Sequence, residues 1–196
     1  MIHNLSEIIT NFLVSKKVKN ENESEIYIYG YETFFSGVID LIITLILGIL
    51  FRRLITAIVF FVMFVSVRMY TGGYHADSYL KCKMIFIGII ISVLGVTYIK
   101  FPLYIVFLII ALFLITVYRL CPIENPNKPL SKQQKRKYRK ISLLYSIIWS
   151  IAAIITYFNT THISMTIVSS EFIISLLMFV GIVRKEGKGN EKECDS

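Results

Sequence analysis

The sequence is poor in charge. Charged residues make up 17% of its 196 residues, against about 25% in an ordinary soluble domain. Apolar residues make up 55%, and the mean hydropathy is +0.65. These apolar residues form long uncharged runs separated by short basic segments, the pattern of membrane-spanning helices. The composition therefore excludes an ordinary soluble domain and predicts an all-α integral membrane protein.

Cysteine is also scarce. The three cysteines are Cys82, Cys121 and Cys194, and no two have the CxxC spacing. Neither a zinc site nor a disulfide framework is therefore predicted, and we expect no metal and no cofactor. The net charge of +8 would suggest nucleic acid in a soluble protein. Here the basic residues lie beside apolar runs, so lipid headgroups are the expected partner and nucleic acid is not.

The start of the chain lacks the basic segment and apolar block of a cleavable signal peptide. Ile2, Leu5, Ile9 and Phe12 recur instead at helical spacing. This spacing predicts an amphipathic helix in the membrane interface, and a soluble helix packed on its own protein fits equally well. Three regions follow: an N-terminal interfacial region over 1–33, a membrane domain over 34–183, and a polar cytoplasmic tail over 184–196 that we expect to be disordered.

Six apolar runs predict about six transmembrane helices, over 34–51, 54–67, 84–99, 101–118, 141–158 and 165–183. With the N-terminus inside the cell, only Arg52, Arg53 and Lys100 of the 21 lysines and arginines fall outside. The positive-inside rule therefore places both termini in the cytoplasm. A rival topology with re-entrant pairs would put these three cations near the bilayer midplane, at about 2.5–3.5 kcal/mol each, so six crossings are favoured.

The segment from Arg68 to Lys83, between the second and third runs, carries the residues of greatest chemical interest. It holds His75, Cys82 and the Gly72-Gly73 pair. Asp77 or Ser78 is a plausible cap for the next helix, which would place Cys82 near its first turn. Free N–H groups and the lysines on either side of Cys82 would favour a thiolate there, and a nearby histidine would take the thiol proton.

The spacing of His75 and Cys82 imposes a condition. On one continuous helix, residues seven apart are separated by about 10.5 Å along the axis, too far for a thiol–imidazole bond of about 3 Å. The chain at His75 must therefore fold back, and Gly72 and Gly73 permit such a turn. The residues alone leave a second interpretation open, a loop that binds substrate or lipid headgroups through Arg68 and the lysines.

The string Gly73-Tyr74-His75-Ala76, followed by Cys82, resembles the accessory gene regulator B (AgrB) family of Gram-positive quorum-sensing systems. The proline-containing segment 121–130 before a basic cluster is similar to a second family feature. The resemblance implies a cysteine endopeptidase that cleaves an AgrD-type precursor peptide and cyclises it through an acyl-enzyme thioester to a thiolactone or lactone. It implies Cys82 as nucleophile and His75 as general base and acid. Arg68 and Gly73 match family positions that would hold substrate or loop geometry.

Further expectations concern residues around this site. Asp77, Glu124 and Asn125 are candidates to orient His75, although helix capping and turn formation explain them better. The basic run 132–140 is expected to fix topology and touch lipid, or to bind the acidic tail of a precursor. Three of its cations are site candidates: Lys135, Arg136 and Lys137.

The remaining expectations concern the placement of the protein in the cell membrane, its assembly and its buried polar residues. The site is predicted at its cytoplasmic edge, and the family suggests a homodimer. Asp40 and Glu171 fall inside predicted spans, where buried polar contacts are expected. The main alternative to the peptidase is a non-enzymatic small transporter or lipid-binding scaffold, including one that exports the peptide.

Overall fold

The computed structural model describes residues 24–72, 79–123 and 131–194, with side chains over 34–72, 80–123 and 131–183. These residues form six α-helices and no strand within the described ranges. The helices are α1 (Ser24–Leu50), α2 (Leu54–Thr71), α3 (Tyr79–Val96), α4 (Leu103–Leu120), α5 (Lys132–Asn159) and α6 (Thr161–Cys194). The prediction of an all-α protein is confirmed.

Four of the described helical segments are long and apolar enough to cross a membrane. They are Leu54–Thr71, Leu103–Leu120, Lys132–Asn159 and Thr161–Val183, and Phe34–Leu50 is a shorter apolar helix. Each of the four has at least 18 residues, close to the roughly 20 that span a hydrocarbon core of about 30 Å. The chain is therefore an α-helical membrane protein, as the composition predicts.

The described residues divide into two compact units, and the boundary between them follows Ile46, inside α1. In the first unit the Thr44 hydroxyl donates to the Asp40 carbonyl one turn earlier, at 2.7 Å. This bond satisfies a hydroxyl that a lipid environment cannot satisfy.

The second unit is a bundle in which α6 is the central helix. It contacts α2, α3, α4 and α5, and every residue of its segment 164–171 is buried. The core around it is apolar and includes Phe60 and Met63 of α2, Leu94 of α3 and Phe113 of α4. Because every residue of segment 164–171 is buried, this part of α6 has no lipid-facing side.

Helix ends differ from the predicted span limits because hydropathy detects only the apolar part of a helix. α5 begins at Lys132, nine residues before the predicted span, and Ser131 closes a capping box with Gln134. This box satisfies two backbone N–H groups that the helix start leaves free. α6 continues to Cys194 through the tail predicted as disordered, because extending a formed helix adds a hydrogen bond per residue.

One end of the bundle, the turn end, is defined by residues 51–53, 97–102 and 159–162. Arg53 N–H donates to the Gly48 carbonyl at 2.8 Å, and Arg52 has a φ of 54°. The Tyr98 hydroxyl donates to the Phe51 carbonyl at 3.4 Å, and His162 Nδ1 lies 2.9 Å from the Thr97 carbonyl oxygen. These contacts place the three connections together and show that α2–α6 alternate in direction through the bundle.

Candidate functional site

The opposite end of the bundle, the loop end, is where α2 and α4 stop and where α3 and α5 start. Here the Ile123 N–H donates to the Thr71 carbonyl at 2.9 Å, and Gly72 and Ile123 form an isolated parallel bridge. The segments 73–78 and 124–130 therefore both leave from one backbone bridge. Five predicted site residues fall in these segments, outside the described residues: Gly73, His75, Asp77, Glu124 and Asn125.

Gly72 makes this bridge sterically possible. Its φ is +69° and its ψ is −148°, a region that almost only glycine adopts. A Cβ atom at this position would overlap the Ile123 carbonyl oxygen. Gly72 therefore adopts a positive φ that glycine tolerates, and the close approach of the Ile123 backbone is a second reason for glycine here. The predicted fold-back of the chain at His75 lies outside the described residues and stays a prediction.

Cys82 is the fourth residue of α3, and its side chain is exposed. Its position within the first turns places it near the start of α3. Of its two lysine neighbours, Lys81 is exposed and Lys83 is buried. The thiol is thus accessible to a substrate at the loop end, as a nucleophile must be.

A row of aromatic rings brings Arg68 and Cys82 to the same end of the α2–α3 pair. Phe86, one turn after Cys82, lies 6.0 Å from Phe60 and 5.9 Å from Phe64 between ring centroids. The Arg68 guanidinium lies over the Phe64 ring, 5.4 Å from its centroid. Arg68 follows Phe64 by one turn and Cys82 precedes Phe86 by one turn, so both extend beyond the aromatic contact toward the loop end.

Cys121 differs sharply from Cys82. It is buried, its Sγ lies 2.8 Å from the Ser142 Oγ, and it donates to the Tyr70 carbonyl at 3.6 Å. Burial raises the pKa of the Cys121 thiol from its ordinary value of 9.0, and this outweighs the lowering by Ser142 and Arg139. Cys121 is therefore a neutral thiol that joins α2, α4 and α5, which fits the predicted spectator role better than a nucleophile.

An aromatic cluster, Tyr70, Tyr138 and Tyr145, packs the end of α2 against the start of α5. Tyr70 stacks on Tyr145 at 5.8 Å and meets Tyr138 edge-on at 5.8 Å between ring centroids. Arg139 also ties α5 to α4, since it donates to the Tyr118 carbonyl at 2.7 Å. The basic run is therefore held at the loop end, on the same side as Cys82.

The cations of this run stand at a helix N-terminus. Arg136 and Lys137 are exposed, Lys135 is half-buried, and the first turn of α5 contains no acidic residue. The partial positive charge of a helix N-terminus adds to these side-chain charges. Anions are the partners that such a segment favours.

Sequence reasoning missed the contacts that assemble this end. Ser142, Tyr70 and Tyr145 were not predicted, because their partners lie 21 to 75 residues away along the chain. One signal was present: Ser142, Ser146 and Ser150 recur at intervals of four on α5, the spacing of one helix face. Within the described residues, no group of three histidine, cysteine or acidic side chains is placed to hold a metal ion.

The fold and this site define a polytopic α-helical membrane protein with an exposed thiol and a basic helical segment at one end of its bundle. Residues 6–182 match the accessory gene regulator B family. The chain therefore belongs to the AgrB family and has a role in the accessory gene regulator system.

Curated relatives agree with this assignment. An AgrB-like protein of Clostridium perfringens (strain SM101 / Type A) is 32% identical over 175 residues, covering 81% of this chain and 80% of the relative. AgrB-like protein 2 of Clostridium perfringens (strain 13 / Type A) is 31% identical over 176 residues, covering 82% and 80%. AgrB-like protein 1 of that strain is 31% identical over 115 residues, covering 58% and 61%. No solved structure matches the chain.

Proposed function

We propose that this protein is a membrane cysteine endopeptidase that cleaves and cyclises an AgrD-type precursor peptide, with Cys82 as nucleophile and His75 as general base and acid. The observation that carries the proposal is the placement of Cys82, exposed in the first turns of α3 at the loop end. Membership of the AgrB family supports the substrate class. Cys121 is a poor candidate for the same role, since it is buried and held by Ser142.

The chemistry follows from thioester exchange. The Cys82 sulfur attacks a carbonyl carbon of the precursor, the C–N bond breaks, and His75 passes the thiol proton to the departing amine. The acyl group, now a thioester on Cys82, is attacked by a thiol or hydroxyl of the same peptide. The bond to Cys82 breaks, its thiol is restored, and the peptide leaves as a thiolactone or lactone. Exclusion of water at the membrane edge favours this ring closure over hydrolysis.

Substrate binding is assigned to two groups of cations. Arg68 stands beyond the Phe64–Phe86 contact at the end of α2 where Cys82 is exposed. Lys135, Arg136 and Lys137 provide positive charge at the start of α5, where an acidic precursor tail would be attracted. Gly73, Asp77, Glu124 and Asn125 are proposed to shape the two loops that leave from the Gly72–Ile123 bridge.

The test is co-expression of each variant with an AgrD-type peptide, followed by mass spectrometry of that peptide. Wild type is expected to give a fragment lighter by one water than the linear form, and Cys82→Ala is expected to give only uncut precursor. Cys121→Ala is the matched control, because it also removes one thiol at the loop end, and it should retain cleavage. Identical peptide masses from wild type and Cys82→Ala would refute the peptidase and favour a transporter or lipid-binding scaffold.

A further inference from the structure

Two buried oxygen atoms in the middle of the bundle lack partners within the described residues. Glu171 of α6 is 0% exposed; its Oε1 accepts from the Ser150 hydroxyl at 2.8 Å, and its Oε2 has no hydrogen bond. Ser146 of α5, one turn before Ser150, is also 0% exposed, and its Oγ has none. Among buried side-chain nitrogen and oxygen atoms of the described ranges, these two alone are unsatisfied.

Polar atoms that are buried at this depth without a partner lower the stability of the folded protein. An ionised carboxylate inside a membrane bundle is normally paired or faces a water-filled cavity. The recorded contact of the Glu171 carboxyl is to a hydroxyl, and no basic side chain of the described residues pairs with it.

We propose that Glu171, Ser150 and Ser146 form a site for one small alkali-metal cation between α5 and α6. Carboxylate and hydroxyl oxygens are hard donors that suit hard cations. Residues four apart on a helix have side chains about 5–6 Å apart, which two ligand bonds of about 2.4 Å each nearly span. One ion between the helices would supply the missing partner to both Glu171 Oε2 and Ser146 Oγ.

The single negative charge selects a monovalent ion. A divalent ion at one carboxylate would leave an excess positive charge in the bundle interior. Within the described residues, no group of three or more acidic, histidine or cysteine side chains is placed to hold a metal ion. The site links α6, the central helix, to α5, the helix that carries the basic run at the loop end. Its occupancy stabilises the pairing of these two helices, and this inference does not depend on the peptidase proposal.

The first experiment uses the purified full-length protein in detergent and dicyclohexylcarbodiimide, a hydrophobic reagent for buried carboxyl groups. Adducts at Glu171 are followed by intact-mass and peptide mass spectrometry in choline, sodium, lithium or potassium chloride at equal ionic strength. When an ion is present at ten times its dissociation constant, the unoccupied fraction and the labelling rate should fall about tenfold. Equal rates in all four salts would overturn the site and leave a proton as the occupant.

A thermal measurement decides the question independently of reagent access. The wild-type melting temperature should rise with the concentration of the bound alkali ion, and Glu171→Gln should abolish both the rise and the adduct. Ser146→Ala should keep the adduct but lose most of the cation dependence. Ser169→Ala is the matched control, since its hydroxyl donates to backbone carbonyls of α6, and it should behave as wild type. A melting temperature that responds equally to choline and to the alkali ions refutes the proposal.

Discussion

At the scale of single residues, Gly72 is constrained twice, by its backbone angles and by the Ile123 carbonyl. Gly72→Ala should therefore lower the stability of the bundle by about 1–3 kcal/mol and reduce precursor cleavage, because the segments that hold His75 and Glu124 both continue from this bridge. The measurement is the melting temperature in detergent together with the peptide assay. Gly88→Ala is the control, since a Cβ at that helical position meets open space. An unchanged melting temperature in Gly72→Ala would contradict the bridge.

The buried thiol of Cys121 predicts how the stability of the protein depends on pH. Because the pKa of its thiol is raised above 9.0 in the folded protein, the unfolded chain loses this proton first as the pH rises. The folded state then binds more protons than the unfolded state, so stability falls as the pH rises through 9 toward the folded pKa. Wild type should lose more stability than Cys121→Ala between pH 8 and pH 10, measured by denaturation in detergent. Parallel pH profiles would show that burial does not shift this thiol.

Sequence reasoning anticipated features that depend on a short segment and missed contacts that depend on packing. The glycine turn at 72 and the position of Cys82 near a helix start follow from residue types along a short segment. Cys121 and Ser142 are 21 residues apart in the sequence, and their contact joins the end of α4 to α5. The Ser150–Glu171 bond joins α5 to α6. The spacing of Ser142, Ser146 and Ser150 marks one polar face of α5, but a single sequence does not show which helix that face meets, so these pairs were not predicted.

At the scale of elements, α5 combines a polar, positively charged start with a membrane-spanning remainder. Replacing Lys135, Arg136 and Lys137 together by glutamine should slow precursor cleavage several-fold while leaving the helix intact, because the Ser131 capping box remains. The wild-type rate should fall as salt is added, since exposed charges are screened over about 10 Å at 0.1 M. The rate is measured by mass spectrometry of the peptide over time.

The control for this charge change lies at the turn end. Lys100→Gln also removes a cation, one that stacks over Tyr157, but does so away from Cys82. It should leave the cleavage rate and its salt dependence as in wild type. If the triple variant keeps the wild-type rate and salt dependence, the basic segment has no part in substrate binding, and lipid contact and topology remain its functions.

The helix boundaries show which part of each helix a hydropathy pattern can detect. The apolar parts of α2, α4, α5 and α6 were located, yet α5 begins at Lys132 and α6 runs on to Cys194. Charged residues end an apolar window without ending a helix, because the backbone hydrogen bonds continue through them. The cap at Ser131, rather than the loss of hydropathy, marks where α5 starts.

At the scale of the whole molecule, the two ends of the bundle differ in charge and in contacts. The turn end holds Arg52, Arg53 and Lys100, with Arg53 stacked over Tyr98 at 5.0 Å and Lys100 over Tyr157 at 5.0 Å. The loop end holds Cys82 and the basic start of α5. Because positive charge is retained in the cytoplasm, we propose that the loop end, and with it the proposed peptidase site, faces the cytoplasm.

Cysteine labelling tests this orientation. In a background with Cys121→Ala and Cys194→Ala, a membrane-impermeant maleimide should modify Cys82 in inside-out vesicles and leave it unmodified in intact cells. A second protein with Cys82→Ala and Arg52→Cys should show the reverse, because Arg52 is exposed at the turn end. Detergent-solubilised samples give the total reactivity of each thiol. Labelling of Cys82 in intact cells would contradict the predicted orientation. It would place the proposed site outside the cell, where a precursor made in the cytoplasm could not reach it.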